Sequence, residues 1–174
     1  REIGARWERD SASSAQVVLG AGRVYAILRD LRAVFLTEHL AAPPGAQAVF
    51  ATVPGEFHGL GTPIAADMMR LKGWTIALRL GCDHDTLVEE IAAQSPTMVG
   101  LSLASPWNTL AAARLIVALR MRCPQVWIIL GGPLVAEDPE VVGAVDADEG
   151  AMDLEDGAAK FAAHLGELNR LARA

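Results

Sequence analysis

Residues 98–132 read MVGLSLASPWNTLAAARLIVALRMRCPQVWIILGG, and the fold is decided in this stretch. Met98–Leu103 is a short apolar run of strand type, closing on Ser102-Leu103-Ala104-Ser105. From Trp107 to Arg122, Leu110, Leu115, Ile116 and Leu119 recur at a spacing that predicts a helix with these residues on its buried side. Val126–Leu130 then carries no charge at all and ends in Gly131-Gly132. A strand without a polar face is buried on both sides, which is the condition of a strand inside a parallel sheet.

The same rhythm extends in both directions. Upstream, Ala48–Val53 and Trp74–Leu80 read as strands, with helices predicted over Thr62–Lys72 and Asp83–Gln94. Gly73 ends the first of these helices; Asp83 or Asp85 caps the second, whose Leu87, Val88 and Ile91 point inward. Downstream come a short helix near Pro139–Val142, a weak edge strand near Gly143–Asp146 and an amphipathic helix over Leu154–Leu171. The acidic run Asp146–Asp156 reads as a solvated loop, since its carboxylates lack the spacing of a calcium loop. This alternation predicts an α/β fold: a doubly wound, Rossmann-like (flavodoxin-type) parallel sheet of five strands with helices on both faces.

Ahead of it, Val17, Val18, Ala21, Val24, Tyr25, Leu28, Leu31 and Phe35 mark an amphipathic helix. The expected organisation is a partial helical cap over 1–40, a linker over 41–47 and the α/β domain over 48–174. The opening Arg-Glu-Ile-Gly reads as the interior of a helix, so a fragment of a longer chain is expected. The unpaired apolar stripe of the cap makes self-association through it a further expectation.

Composition narrows the function. The chain has 174 residues, 52 % of them hydrophobic, a mean hydropathy of +0.27 and a formal net charge of −6. Such a chain buries a core, and its acidic balance argues against direct nucleic-acid binding. Cys82 and Cys123 form neither a disulfide framework nor a zinc pattern, and both read as small core or boundary residues. No secretory signal is visible at the N-terminus, and the least charged run, Ser95–Ala113, is broken by Pro96 and Pro106. A soluble, cytoplasmic protein is expected, without a membrane partner.

In doubly wound sheets ligands bind beyond the carboxyl ends of the strands, where strand order reverses. Four loops fall there: Pro54–Gly61, Gly81–Asp83, Ser102–Trp107 and Gly131–Leu134. The first sets His58 two positions after Glu56, among Gly55, Gly59 and Gly61. A histidine that binds metal through one ring nitrogen needs the other held, and a nearby carboxylate can hold it. A loop histidine is more often a solvated or capping residue, so these residues alone leave both readings open.

Their order along the chain resembles the cobalamin-binding domain family. That family carries Asp-x-His-x-x-Gly after the first strand, Ser-x-Leu after the third and Gly-Gly after the fourth. Glu56-Phe57-His58-Gly59-Leu60-Gly61 is similar to the first motif with Glu for Asp. Ser102-Leu103-Ala104 is similar to the second with Ala for Leu, and Gly131-Gly132 matches the third. The resemblance implies that His58 is the lower axial ligand of cobalt, replacing the cofactor's own base, and that Glu56 orients it. It implies that Gly61 admits the displaced nucleotide tail, Ser102 bonds it, and Gly131 and Gly132 leave it room. Glutamate is one methylene longer than aspartate, which moves its hydrogen bond to the imidazole, and Ala104 widens the slot.

Trp7, Asp10, Ser13, Val17, Leu19, Gly20, Arg23 and Val24 resemble the helical cap of the bacterial photoreceptor and antirepressor subgroup. The subgroup implies a corrinoid-holding sensor that signals to a transcription regulator. It also includes SCHIC domains, which imply heme instead. His39, after Glu38, is a possible upper axial ligand, although Leu28 stands where the photoreceptors have tryptophan; the other reading is a histidine at a helix C-terminus. Trp107 is a candidate flank of the ligand slot, Trp74 and Trp127 read as core or sheet-edge residues, and His84 and His164 as solvent-facing. No nucleophile elbow, GxGxxG or Walker loop is present, so catalytic residues are not expected. The alternatives to a sensor are a corrinoid carrier subunit of a methyltransferase and an interaction domain without cofactor.

Overall fold

A computed structural model describes residues 23, 27, 43–56 and 60–173. The chain divides into two compact units, Arg1–His39 and Leu40–Ala174. Within the first, Arg23 and Ile27 are helical; the remaining expectations for the cap, His39 among them, fall outside the described residues.

The second unit is a five-stranded, all-parallel sheet in the order β2-β1-β3-β4-β5. Its strands are β1 (Gln47–Thr52), β2 (Thr75–Arg79), β3 (Met98–Ser102), β4 (Trp127–Gly131) and β5 (Glu149–Ala151). The main helices are α1 (Gly61–Leu71), α2 (His84–Gln94), α3 (Thr109–Arg122) and α6 (Leu154–Leu171). The short helices α4 (Pro133–Glu137) and α5 (Val141–Ala144) lie between β4 and β5, and a 3-10 turn, Pro106–Asn108, leads into α3.

Alternation along each strand sorts the core into two layers. Val49, Ala51, Val99, Leu101, Ile128 and Leu130 face α2 and α3, where Leu87, Ile91, Leu115, Ile116 and Leu119 close the layer. Phe50, Met98 and Ile129 face the other way, onto α1 and α6. There Phe161 sits among Phe50, Trp74 and Trp127, with ring centroids 5.2, 5.6 and 5.5 Å away. Trp74 is thus a core residue, and Trp127, partly buried, packs against the same cluster. Cys82 and Cys123 pack at the edge of the first layer as free thiols.

The helix starts follow from capping. Asp83 accepts from Thr86 N at 3.0 Å to begin α2, and Asp153 accepts from the Glu155 and Asp156 amides to begin α6. The Thr86 amide and then its hydroxyl hold the Asp83 carboxyl below its ordinary pKa.

Four expectations are corrected. Leu110 is 62 % exposed. The buried stripe of α3 passes instead through Ala112, from which Leu110 lies about 200° around the helix axis. The edge strand is Glu149–Ala151, because Val141–Ala144 is helical and Asp146, at φ 61°, turns the chain first. With a glutamate and a glycine that strand has little intrinsic β preference, and it exists by pairing with β4, Ile129 opposite Glu149. The acidic run is exposed, as expected, but it is not a loop throughout: it contains β5 and the first turn of α6, and several of its carboxylates make specific contacts. Asp148 accepts from Ile128 N at 2.7 Å and pairs with Arg120 at 3.1 Å, and Lys160 bridges Glu149 and Asp156. His164 is half-buried, stacked on Trp127 at 4.4 Å with the ring planes 9° apart.

Candidate functional site

Strand order reverses between β1 and β3, so the loops after these two strands flank the crevice at the carboxyl edge. Glu56, in the first loop, is buried. Its Oε2 accepts from the amides of Ala104 at 2.9 Å and Ser105 at 3.1 Å, and from Asn108 Nδ2 at 3.3 Å. Asn108 Nδ2 also donates to Gly55 O at 3.2 Å. The carboxylate therefore locks the β1 loop onto the β3 loop across the switch point. His58 itself, two positions beyond Glu56, lies outside the described residues.

On the α1/α6 side, the last row of the sheet holds only small residues. Thr52, Ser102, Gly131 and Ala151 are direct neighbours in register across β1, β3, β4 and β5. The flanking helices differ there: a Cβ added at Gly61, the first residue of α1, would meet nothing within 4 Å among the described residues, whereas one at Gly157 of α6 would press on Ala151 Cβ at 3.3 Å, so α6 packs closely on β5. Two residues deeper the row changes character: Phe50, Gly100 and Ile129 sit side by side, and Phe161 covers them. A Cβ at Gly100 would lie 3.0 Å from Phe50, so this aromatic floor is close-packed.

Thr62, one position into α1 and on the same face as Ala66 and Met69, is buried. Among the described residues its Oγ1 has no hydrogen-bond partner. A buried hydroxyl left alone costs free energy, which a polar group entering the small-residue row would recover. Thr52, by contrast, is satisfied, its Oγ1 accepting from Gly81 N at 3.1 Å.

The sequence motifs thus converge on one edge of the sheet. Ser102 and Gly131 share the small-residue row, and Ala104 supplies the amide that binds Glu56. Gly132 needs its lack of a side chain for a local reason. At φ 114° a Cβ there would stand 2.5 Å from Leu103 O, closer than any real contact. Trp107, in the 3-10 turn, is 91 % exposed. Thr62, Asn108, Ala151 and Gly157 were not singled out from sequence. A hydroxyl in the first turn of the helix after a Gly-x-Gly loop was the available signal for Thr62. For the others only the tertiary register reveals the role.

Comparison with known proteins places this edge in context. The chain is 26 % identical over 160 residues to an uncharacterized 20.5 kDa protein in the bchF-crtJ intergenic region of Rhodobacter capsulatus, covering 88 % of this chain and 81 % of that one. Among the solved structures that share its fold are two described as corrinoid- or cobalamin-binding. A monomethylamine corrinoid protein from Methanosarcina barkeri has a TM-score of 0.72 and 19 % identity, covering 93 % of this chain and 76 % of its own. A novel cobalamin-binding protein from Desulfitobacterium hafniense DCB-2 has a TM-score of 0.60 and 21 % identity, covering 90 % and 73 %. The B12 binding domain model matches residues 46–156, which takes in every strand of the sheet and the first turn of α6, and so the chain belongs to the B12-binding domain family.

Proposed function

We propose that this chain holds a corrinoid, cobalamin, at the carboxyl edge of its sheet and works as a regulatory module that reports the ligand to a transcription regulator. The residues fit the group. The row Thr52, Ser102, Gly131 and Ala151 is a cradle that side chains would otherwise fill, and Thr62 Oγ1 is a buried polar atom in need of a partner. Together they suit a nucleotide tail lying between the sheet and α1, above the Phe50–Phe161 floor. That unsatisfied hydroxyl in the first turn of the helix after β1, together with the small-residue row at the strand ends, is the observation on which the reading rests.

In this reading His58 would ligate the cobalt of the bound cobalamin. Bound cobalamin would supply a cobalt centre responsive to light or redox state. Glu56 holds the β1 loop in place through Ala104, Ser105 and Asn108, and it orients His58. Ser102 hydrogen-bonds the tail, Gly61, Gly131 and Gly132 leave it space, and Trp107 flanks the opening. The regulatory half of the reading is supported by the subgroup resemblance of the residues from Trp7 to Val24 and by likeness to the protein of the bchF-crtJ intergenic region. A methyltransferase carrier would need a partner enzyme for its chemistry. Among the described residues no helix is long and apolar enough to cross a membrane.

Hydroxocobalamin added to the purified apo-protein tests this directly. The visible spectrum is expected to move from that of the free cofactor to that of a histidine-ligated, base-off corrinoid, and His58→Ala is expected to abolish the change. A spectrum unchanged on mixing would refute the proposal. A sharp Soret shift with hemin instead would reassign the site to heme.

A further inference from the structure

Helix α3 turns an apolar seam to solvent. Leu110, Val117 and Met121 are 62, 54 and 78 % exposed, and Trp107 continues the line one turn earlier at 91 %. With Arg114, which is also exposed, positions 107, 110, 114, 117 and 121 alternate steps of three and four. That is the spacing of a helix seam that packs on another helix. Scattered exposed apolar residues need no explanation, whereas a continuous seam of them does.

The charges say what covers it. The whole of α3 contains no acidic residue; its charged residues are Arg114, Arg120 and Arg122, in a chain of net charge −6. Arg120 is engaged by Asp146 and Asp148. Arg114 and Arg122 have no ion pair among the described residues. A second copy of α3 is a poor occupant. Arg114 stands at the midpoint of the seam, so a two-fold pairing, parallel in register or antiparallel, sets it against its own mate.

We propose that the outer face of α3 docks an amphipathic helix of a partner protein, with apolar seam residues against Leu110, Val117 and Met121 and a carboxylate opposite Arg114. The site goes beyond corrinoid binding and does not require it. It is nevertheless placed to sense the crevice, because Asn108, the residue before α3, is bonded to both Glu56 and the Gly55 carbonyl.

Two synthetic helical peptides test this, sharing one leucine seam and carrying either Glu or Lys at its centre. Each is titrated into the full chain without corrinoid, with binding followed by the methyl NMR signals of Leu110, Val117 and Met121. The Glu peptide is expected to bind about tenfold more tightly than the Lys peptide, and Arg114→Glu to reverse that order. Arg114 is exposed, so this variant folds. Equal binding of the two peptides, shifts confined to other residues, or no shift with either would overturn the proposal. So would concentration-dependent shifts of the same methyls in the free protein, which would assign the seam to a second copy. Because no cofactor is present, a failure here is distinct from a failure to bind cobalamin.

Discussion

Glu56 Oε2 and the amide of Ala104, 48 positions apart in sequence, meet at 2.9 Å and close the switch point of the sheet. The bond joins the loop that carries His58 to the loop that starts α3. With Ser105 N sharing the same oxygen, one buried carboxylate satisfies two backbone donors that would otherwise lose their solvent.

Removing that carboxylate should therefore be costly. Glu56→Ala is expected to destabilise the fold by about 1–2 kcal/mol, because it strands the half-buried amides of Ala104 and Ser105. Glu56→Gln keeps an acceptor and should lose roughly half as much. Urea unfolding followed by circular dichroism measures both, and a loss below about 0.5 kcal/mol for the alanine variant would show that the bond contributes little.

Two glycines of the family motifs should behave oppositely. Gly132→Ala forces a Cβ against Leu103 O at φ 114° and should cost about 3 kcal/mol or more. Gly61→Ala meets no atom within 4 Å among the described residues and should leave stability within about 0.5 kcal/mol. If the row beneath it takes a nucleotide tail, Gly61→Ala weakens cobalamin binding in spectral titration while the melting curve stays put.

Thr62→Val isolates the lone hydroxyl. The replacement is nearly isosteric and removes an unsatisfied buried donor, so apo stability should hold or rise by up to about 1 kcal/mol. Affinity for hydroxocobalamin should fall in the same variant. A drop in apo stability would mean that the hydroxyl already has a partner in the ligand-free protein.

The Asp156–Lys160 pair predicts how the β5 edge responds to pH. The Met152 amide, then Lys160, holds the Asp156 carboxyl below its ordinary 3.8. A depressed folded value means that this stability is present above 3.8 and lost as pH falls through the lower, folded value. Burial opposes the charge on Lys160, but hydrogen bonds to Asp156 and Glu149 outweigh it and raise the ammonium above its ordinary 10.5. That contribution is complete below 10.5 and fades as pH rises through the folded value. Asp156→Asn should accordingly flatten the acid limb of a plot of Tm against pH, and Lys160→Met the alkaline limb.

Much of this protein is written locally. The uncharged run of Val126–Leu130, the helical spacing of Leu115, Ile116 and Leu119, and the caps Asp83 and Asp153 impose strand or helix by short-range rules, so sequence suffices for the class of fold. The motifs at 56, 102, 131 and 132 also fall at strand ends by counting alone. What sequence could not decide is anything that depends on register between distant segments. β5 has almost no β preference and is a strand only because β4 offers it partners. Leu110 looked inward until Ala112 proved to be the residue against the sheet. The neighbouring of Thr52, Ser102, Gly131 and Ala151, and the commitment of Glu56 to Ala104, arise from how four strands align. Period and propensity are properties of a segment, whereas a cradle is a property of side chains brought level across a sheet, and that alignment exists only once the chain has folded.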